Sequence, residues 1–134
     1  MARRYTGFPV EVLEVVEVRS HGACEVMLPG CTLRWEDTQH RRARGAGGTR
    51  RVSTNQASNA LACCRACHRS IEGAPVRSAR KGWRVAQHED PLLVPVLWRG
   101  RDLVFLDDLG GMHSQPPTTI EEARCSIWTS SMRR

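Results

Sequence analysis

Three cysteines and a histidine fall within six positions, Cys63 to His68, inside the stretch ALACCRACHRS (60–70). Cys64 and Cys67 form a C-x2-C pair, a spacing at which two thiolates on a turn entering a helix grip one metal ion. A looser pair stands upstream in CEVMLPGC, at Cys24 and Cys31. Met27 sits where a tighter pair would put its second cysteine, but a thioether is a poor zinc ligand, which leaves Cys31 as the partner. Four thiolates in two pairs, about 32 residues apart, are the donor set of a tetrahedral structural zinc site. The bland alternative is a set of reduced, unliganded core cysteines. Cys63 reads as a small apolar residue facing inward and Cys125 as a free thiol.

The elements that must hold these groups are short. A chain of 134 residues is one domain. With only seven aromatic residues (Trp 4, Tyr 1, Phe 2) its core is thin, and a metal staple would add what packing lacks. Residues 1–9 read as a basic arm ending at Pro9. VEVLEVVEVR (10–19) suits a helix begun by Pro9 and stopped by Gly22, with a strand as the competing reading. Residues 24–44 should form two short strands joined by the LPGC turn, and 45–58 a polar, glycine-rich loop. A short helix should run from Cys64 or Ala66 to about Glu72. Another should open at Pro75 and close at Gly82. WRV (83–85) reads as a short strand, VPVLW (94–98) and LVFL (103–106) as a hairpin. Residues 112–134 read as a tail, with a short helix near 119–127 as one option.

The net charge is +6, and of 20 basic residues only Lys81 is not arginine. That balance points to a polyanion such as nucleic acid, because guanidinium groups suit bidentate phosphate contact. A membrane surface fits less well, since no basic amphipathic helix or long apolar run is evident. No apolar leader follows the basic N-terminus, so the expectation is a cytoplasmic, non-secreted protein in which disulfides are rare.

Between the cysteine pairs lies QHRRARGAGG (39–48), then NALACCRACHRSIE (59–72), preceded by FPVEVLEVVEVRSHGACEV (8–26). With its two cysteine pairs bracketing His…Asn…His, the chain resembles the HNH endonucleases, specifically the zinc-stapled kind of bacteria and their phages. The resemblance extends less specifically through GWRV and DPLLVPVLWRGRDLVFLDDLGG, covering roughly residues 8–111. It implies an α+β fold with a small ββα-metal (HNH, His-Me finger) core over 10–73, and a C-terminal helix and hairpin over 74–111 as an extension of the same domain.

The resemblance also implies site residues. His40 matches the general base, Asn59 the central asparagine that holds the loop and helps orient the base, and His68 a ligand of a catalytic divalent cation. Two positions depart from the pattern. The residue before the base is usually a charged or imidazole ligand, and here it is Gln39. Four residues past His68 a histidine often ligates the metal, and here it is Glu72, on the same helical face. A carboxylate restores the lost charge and favours Mg2+ or Mn2+. Asp37 shares a strand face with Gln39 and would need a local shift to take its place. Arg41, Arg42, Arg44, Arg50 and Arg51 beside the base are expected to contact DNA phosphates.

The implied activity is metal-dependent hydrolysis of DNA phosphodiesters, by nicking or double-strand cleavage, with one structural zinc. The alternative is an inactive HNH-like zinc module that binds DNA non-specifically; a zinc-stapled protein-interaction module is a third class. His68 has a second reading as a zinc ligand, and Asn55 competes with Asn59. Work beside phage packaging machinery is a family association only.

Overall fold

The computed structural model describes residues 7–45 and 50–117. Pro9, at φ −67, leads into helix α1, Val10–Ser20. The strand alternative for this valine-rich run loses because its apolar residues recur at helical spacing. Val16, Arg19 and Ser20 are buried, while Glu11, Glu14 and Glu17 face solvent. His21 and Gly22 both turn left-handed, and His21 N–H caps the helix on Glu17 O.

Residues 24–44 do not form the two expected strands. The LPGC turn is present, with Cys31 N–H donating to Leu28 O at 3.0 Å. What it joins is a loop, pinned by a single bridge between Ala23 and Arg34. The amides of Met27, Leu28 and Leu33 go to cysteine sulfurs, and residues so engaged have no ladder to offer. The one strand here is β1, Asp37–His40. Its antiparallel partner is β2, Ala60–Cys63, with Asp37 opposite Cys63 and His40 opposite Ala60. Helix α2, Arg65–Gly73, follows β2 directly, with Cys64 as its N-cap. Between β1 and β2 the loop carries two 3-10 turns, Val52–Asn55 and Ala57–Asn59.

Helix α3, Pro75–Arg80, opens on Pro75 as expected. Gly82 ends it at φ +74, and a Cβ there would lie 1.9 Å from Pro95 O, so only glycine fits. WRV is not a strand. Trp83 and Arg84 N–H both donate to Ser78 O, and Val85 N–H donates to Arg41 O, which folds the segment into a turn beside β1. The hairpin is as expected, with β3, Val96–Trp98, antiparallel to β4, Asp102–Leu106. The chain then adds β5, Met112–His113, to the same sheet, so the first two residues of the expected tail pair with β4. The proposed helix at 119–127 and Cys125 lie outside the described residues.

The fold is thus α+β, with three α-helices and two small sheets among the described residues. No described helix is long and apolar enough to cross a membrane. The main core gathers Leu61, Ile71, Trp83, Val96 and Leu106 around the cysteines. A smaller cluster of Val16, Ala60 and Ala62 joins α1 to the other face of the β1–β2 sheet.

One buried ion pair ties these parts together. Arg19 and Glu25 meet at 2.8 Å with both side chains fully buried. Glu25 also accepts from Trp98 Nε1 and Ala62 N–H, and Arg19 donates to Ala57 O and Ala60 O. Glu25→Ala would strand the guanidinium in the core, so it should cost about 3–5 kcal/mol in chemical denaturation, as for other broken buried pairs.

Candidate metal centre and adjoining cleft

Cys24, Cys31, Cys64 and Cys67 come together with all four sulfurs within 4.8 Å of one another. Cys31 and Cys64 sulfurs lie 3.7 Å apart; a tetrahedral ion with Zn–S bonds of about 2.3 Å sets its ligands about 3.8 Å apart. Each sulfur receives at least one backbone N–H: Met27 to Cys24, Leu33 to Cys31, Cys67 to Cys64 and Leu28 to Cys67. Four amides aimed at four sulfurs stabilise thiolates rather than thiols. The cluster could therefore hold a structural metal ion such as zinc. Burial pushes Cys31 up to about 11 and Cys67 higher still. Burial also works to raise Cys64, but the amides of Cys67 and Thr32 and the neighbouring thiols outweigh it and bring Cys64 down to about 6. Cys63 stands outside the cluster, fully buried, its Sγ 3.5 Å from Asp37 O. His68 is not among the clustered donors, which removes its reading as a zinc ligand.

Beside this centre lies an open cleft of roughly 970 Å³, lined among others by Gln39, His40, Arg44, His68, Glu72 and Arg84. His40 ends β1 and is half-buried. Its ring stacks on Phe8, with centroids 4.0 Å apart and planes 15° apart. Its Nε2 lies 2.9 Å from Asn55 Oδ1. An amide oxygen only accepts, so Nε2 carries the proton and Nδ1 keeps the lone pair. Burial pulls the His40 pKa below its ordinary value, Arg44 pulls the same way, and the Asn55 bond opposes them.

Asn59 holds the loop rather than the imidazole. Fully buried, it accepts from Arg42 N–H at 2.6 Å and donates to Arg42 O and Thr54 O. The two asparagines thus divide the work: Asn59 clamps the loop after β1, and Asn55 orients the ring.

His68, on α2, stands between two carboxylates. Its Nδ1 lies 3.1 Å from Asp37 Oδ2 and its Nε2 lies 3.4 Å from Glu72 Oε1. Asp37 does not stand in for Gln39 in the cleft; strand alternation puts it on the α2 face of β1, where His68 meets it. With Nδ1–H donated to Asp37, Nε2 presents a lone pair beside Glu72. Gln39 lines the same cleft, its Nε2 donating to His40 O at 3.0 Å, which leaves Oε1 as its free donor atom. An imidazole nitrogen, a carboxylate and an amide oxygen are a donor set suited to a hard divalent cation.

Two of the five arginines expected on DNA are structural instead. Arg41 is buried and donates to four carbonyls, those of Gly82, Ser58, Pro91 and Val94. Burial, then the charge of Arg19, pulls it down to about 9, still a cation at neutral pH. Arg42 is also buried, donating to Glu89 O and Ser53 Oγ. Neither guanidinium can reach a phosphate. Arg44, Arg50 and Arg51 are exposed, and Arg51 donates to Gln87 O. Sequence reading passed over Phe8 and Arg84, and named Asn55 only as a competitor of Asn59.

Comparison with family models, with curated proteins and with solved structures finds no match for this chain.

Proposed function

We propose that the protein is a metal-dependent HNH endonuclease that hydrolyses DNA phosphodiester bonds. One observation carries the reading: Gln39, His40, His68 and Glu72 line a single cleft, on a strand–strand–helix frame whose helix begins at the four-cysteine cluster. His40 is neutral near pH 7, with Nε2–H held by Asn55. Its Nδ1 takes a proton from water, and the hydroxide so formed attacks phosphorus. The P–O3′ bond breaks, and the departing oxygen takes a proton from solvent, leaving a 5′-phosphate and a 3′-hydroxyl. Held by His68, Glu72 and Gln39, a divalent cation would neutralise the charge that develops on the phosphate and on the departing oxygen. Asp37 fixes the His68 tautomer, and Phe8 and Asn55 fix the plane of His40.

A second reading, an HNH-like zinc module that binds DNA without cutting it, is favoured by Gln39, whose amide brings no charge to the cation site. Conversion of supercoiled plasmid to nicked or linear form decides between them. The zinc-loaded protein should convert plasmid with added Mg2+ or Mn2+ and not without, and Glu72→Ala should require much more cation. Salt-sensitive binding with no conversion at any cation concentration would select the binding module.

A further inference from the structure

Arg41 and Arg42 are enclosed, and the exposed Arg44, Arg50 and Arg51 are not the only cations open to a polyanion. Helix α3 and the turn after it carry Arg77, Arg80, Lys81 and Arg84, with no Asp or Glu from 74 to 88. The first three are exposed and Arg84 is half-buried. Spacing of three and four puts Arg77, Arg80 and Lys81 on one face. Arg77 reaches Ser70 O at 3.2 Å. Among the described residues the side chains of Arg80, Lys81 and Arg84 make no hydrogen bond or ion pair. The helix dipole accounts for cations in the last turn of α3, but Lys81 and Arg84 lie beyond it. Like charges at this spacing repel, and a polyanion would relieve that repulsion.

The strip is also rigid. Ser78 anchors it to α2 by donating to Ile71 O at 2.8 Å. Lys81 O accepts from Leu97 N–H, and Gly82 packs directly on Pro95. It runs into the cleft, which Arg84 lines together with His40, His68 and Glu72. Exposed acids stand outside the strip, Glu11, Glu14 and Glu17 on α1 and Glu36, Glu72, Glu89 and Asp102 elsewhere.

We infer that Arg77, Arg80, Lys81 and Arg84 form a docking surface for the phosphate backbone of a DNA duplex, leading one strand into the cleft. The inference rests on the nuclease reading for its direction, but its test does not depend on cleavage. The full-length, zinc-loaded protein is titrated against a short fluorescent duplex of mixed sequence, without added divalent cation and over a range of salt. The R80Q/K81Q/R84Q variant should bind about tenfold or more weakly, and its log affinity should fall with log salt by about 2 to 3 less in slope. R101Q, an exposed arginine on the β3–β4 turn, should bind as wild type, and matched thermal midpoints exclude misfolding. Equal affinity and slope in the triple variant would overturn the surface. So would an equal loss in R101Q, absence of duplex binding by wild type, or binding to anionic vesicles in preference to duplex. If wild type binds but never cuts, and the triple variant loses binding, the surface stands and the nuclease reading falls. If wild type cuts and the triple variant binds unchanged, the reverse holds.

Discussion

Cys67→Ser protein, or wild type stripped of metal by a strong chelator, should lose its cooperative thermal transition rather than merely its activity. Structural zinc in small domains contributes about 10–16 kcal/mol, as much as the whole stability of a typical domain, about 5–15 kcal/mol. Here Cys24, Cys64 and Cys67 are fully buried within the main core, against Leu61, Ile71 and Trp83. No described disulfide stands in for the metal, since Cys24, Cys31, Cys63, Cys64 and Cys67 are free. The effect has a pH dependence of definite sign. Cys64, at about 6, is a thiolate at neutral pH, whereas burial keeps Cys31 and Cys67 protonated until the ion displaces their protons. Falling pH therefore ejects the metal, and the transition should move to lower temperature as solutions are acidified. Cys63→Ser, outside the cluster, should leave metal content unchanged. Circular dichroism melts paired with metal analysis read all of this; a metal-free protein with a native melt would remove the structural role of the cluster.

His40→Ala should lower plasmid cleavage by about 10²- to 10⁴-fold, the usual contribution of a positioned general base, with DNA affinity near wild type. Its pH profile is the sharper diagnostic. Burial lowers the His40 pKa, so the base form is populated at neutral and alkaline pH and lost as pH falls through that lowered value. Wild-type cleavage should show an acid limb below the ordinary imidazole range, and the residual activity of His40→Ala should lack it. The two proteins must be matched for bound zinc. A variant that cuts at the wild-type rate would remove His40 from the chemistry.

The cysteine cluster was legible because a C-x2-C pair at a helix start constrains itself locally, and the amide-to-sulfur bonds follow from that geometry. Strand β2 was not. Its ALAC is half alanine, with little strand preference of its own; pairing with β1 and burial on both faces make it a strand. The arginine run failed for a related reason. A run of charge usually faces water, and nothing near Arg41 in the sequence announces acceptors at Ser58, Gly82, Pro91 and Val94. Asp37 was placed on the correct face by strand alternation, yet its partner on α2 depends on how the helix docks, which periodicity does not specify.

Those four acceptors bear on how such a protein can change over generations. Arg41 follows His40 directly, and three of its four carbonyls, from Gly82, Pro91 and Val94, belong to the C-terminal extension. A gene fusion that carried off only the strand–strand–helix frame would leave a guanidinium with most of its partners gone, next to the imidazole. Strand β1 therefore depends on the loops that enclose the arginine beside it, and a recombination that separated the two should cost stability.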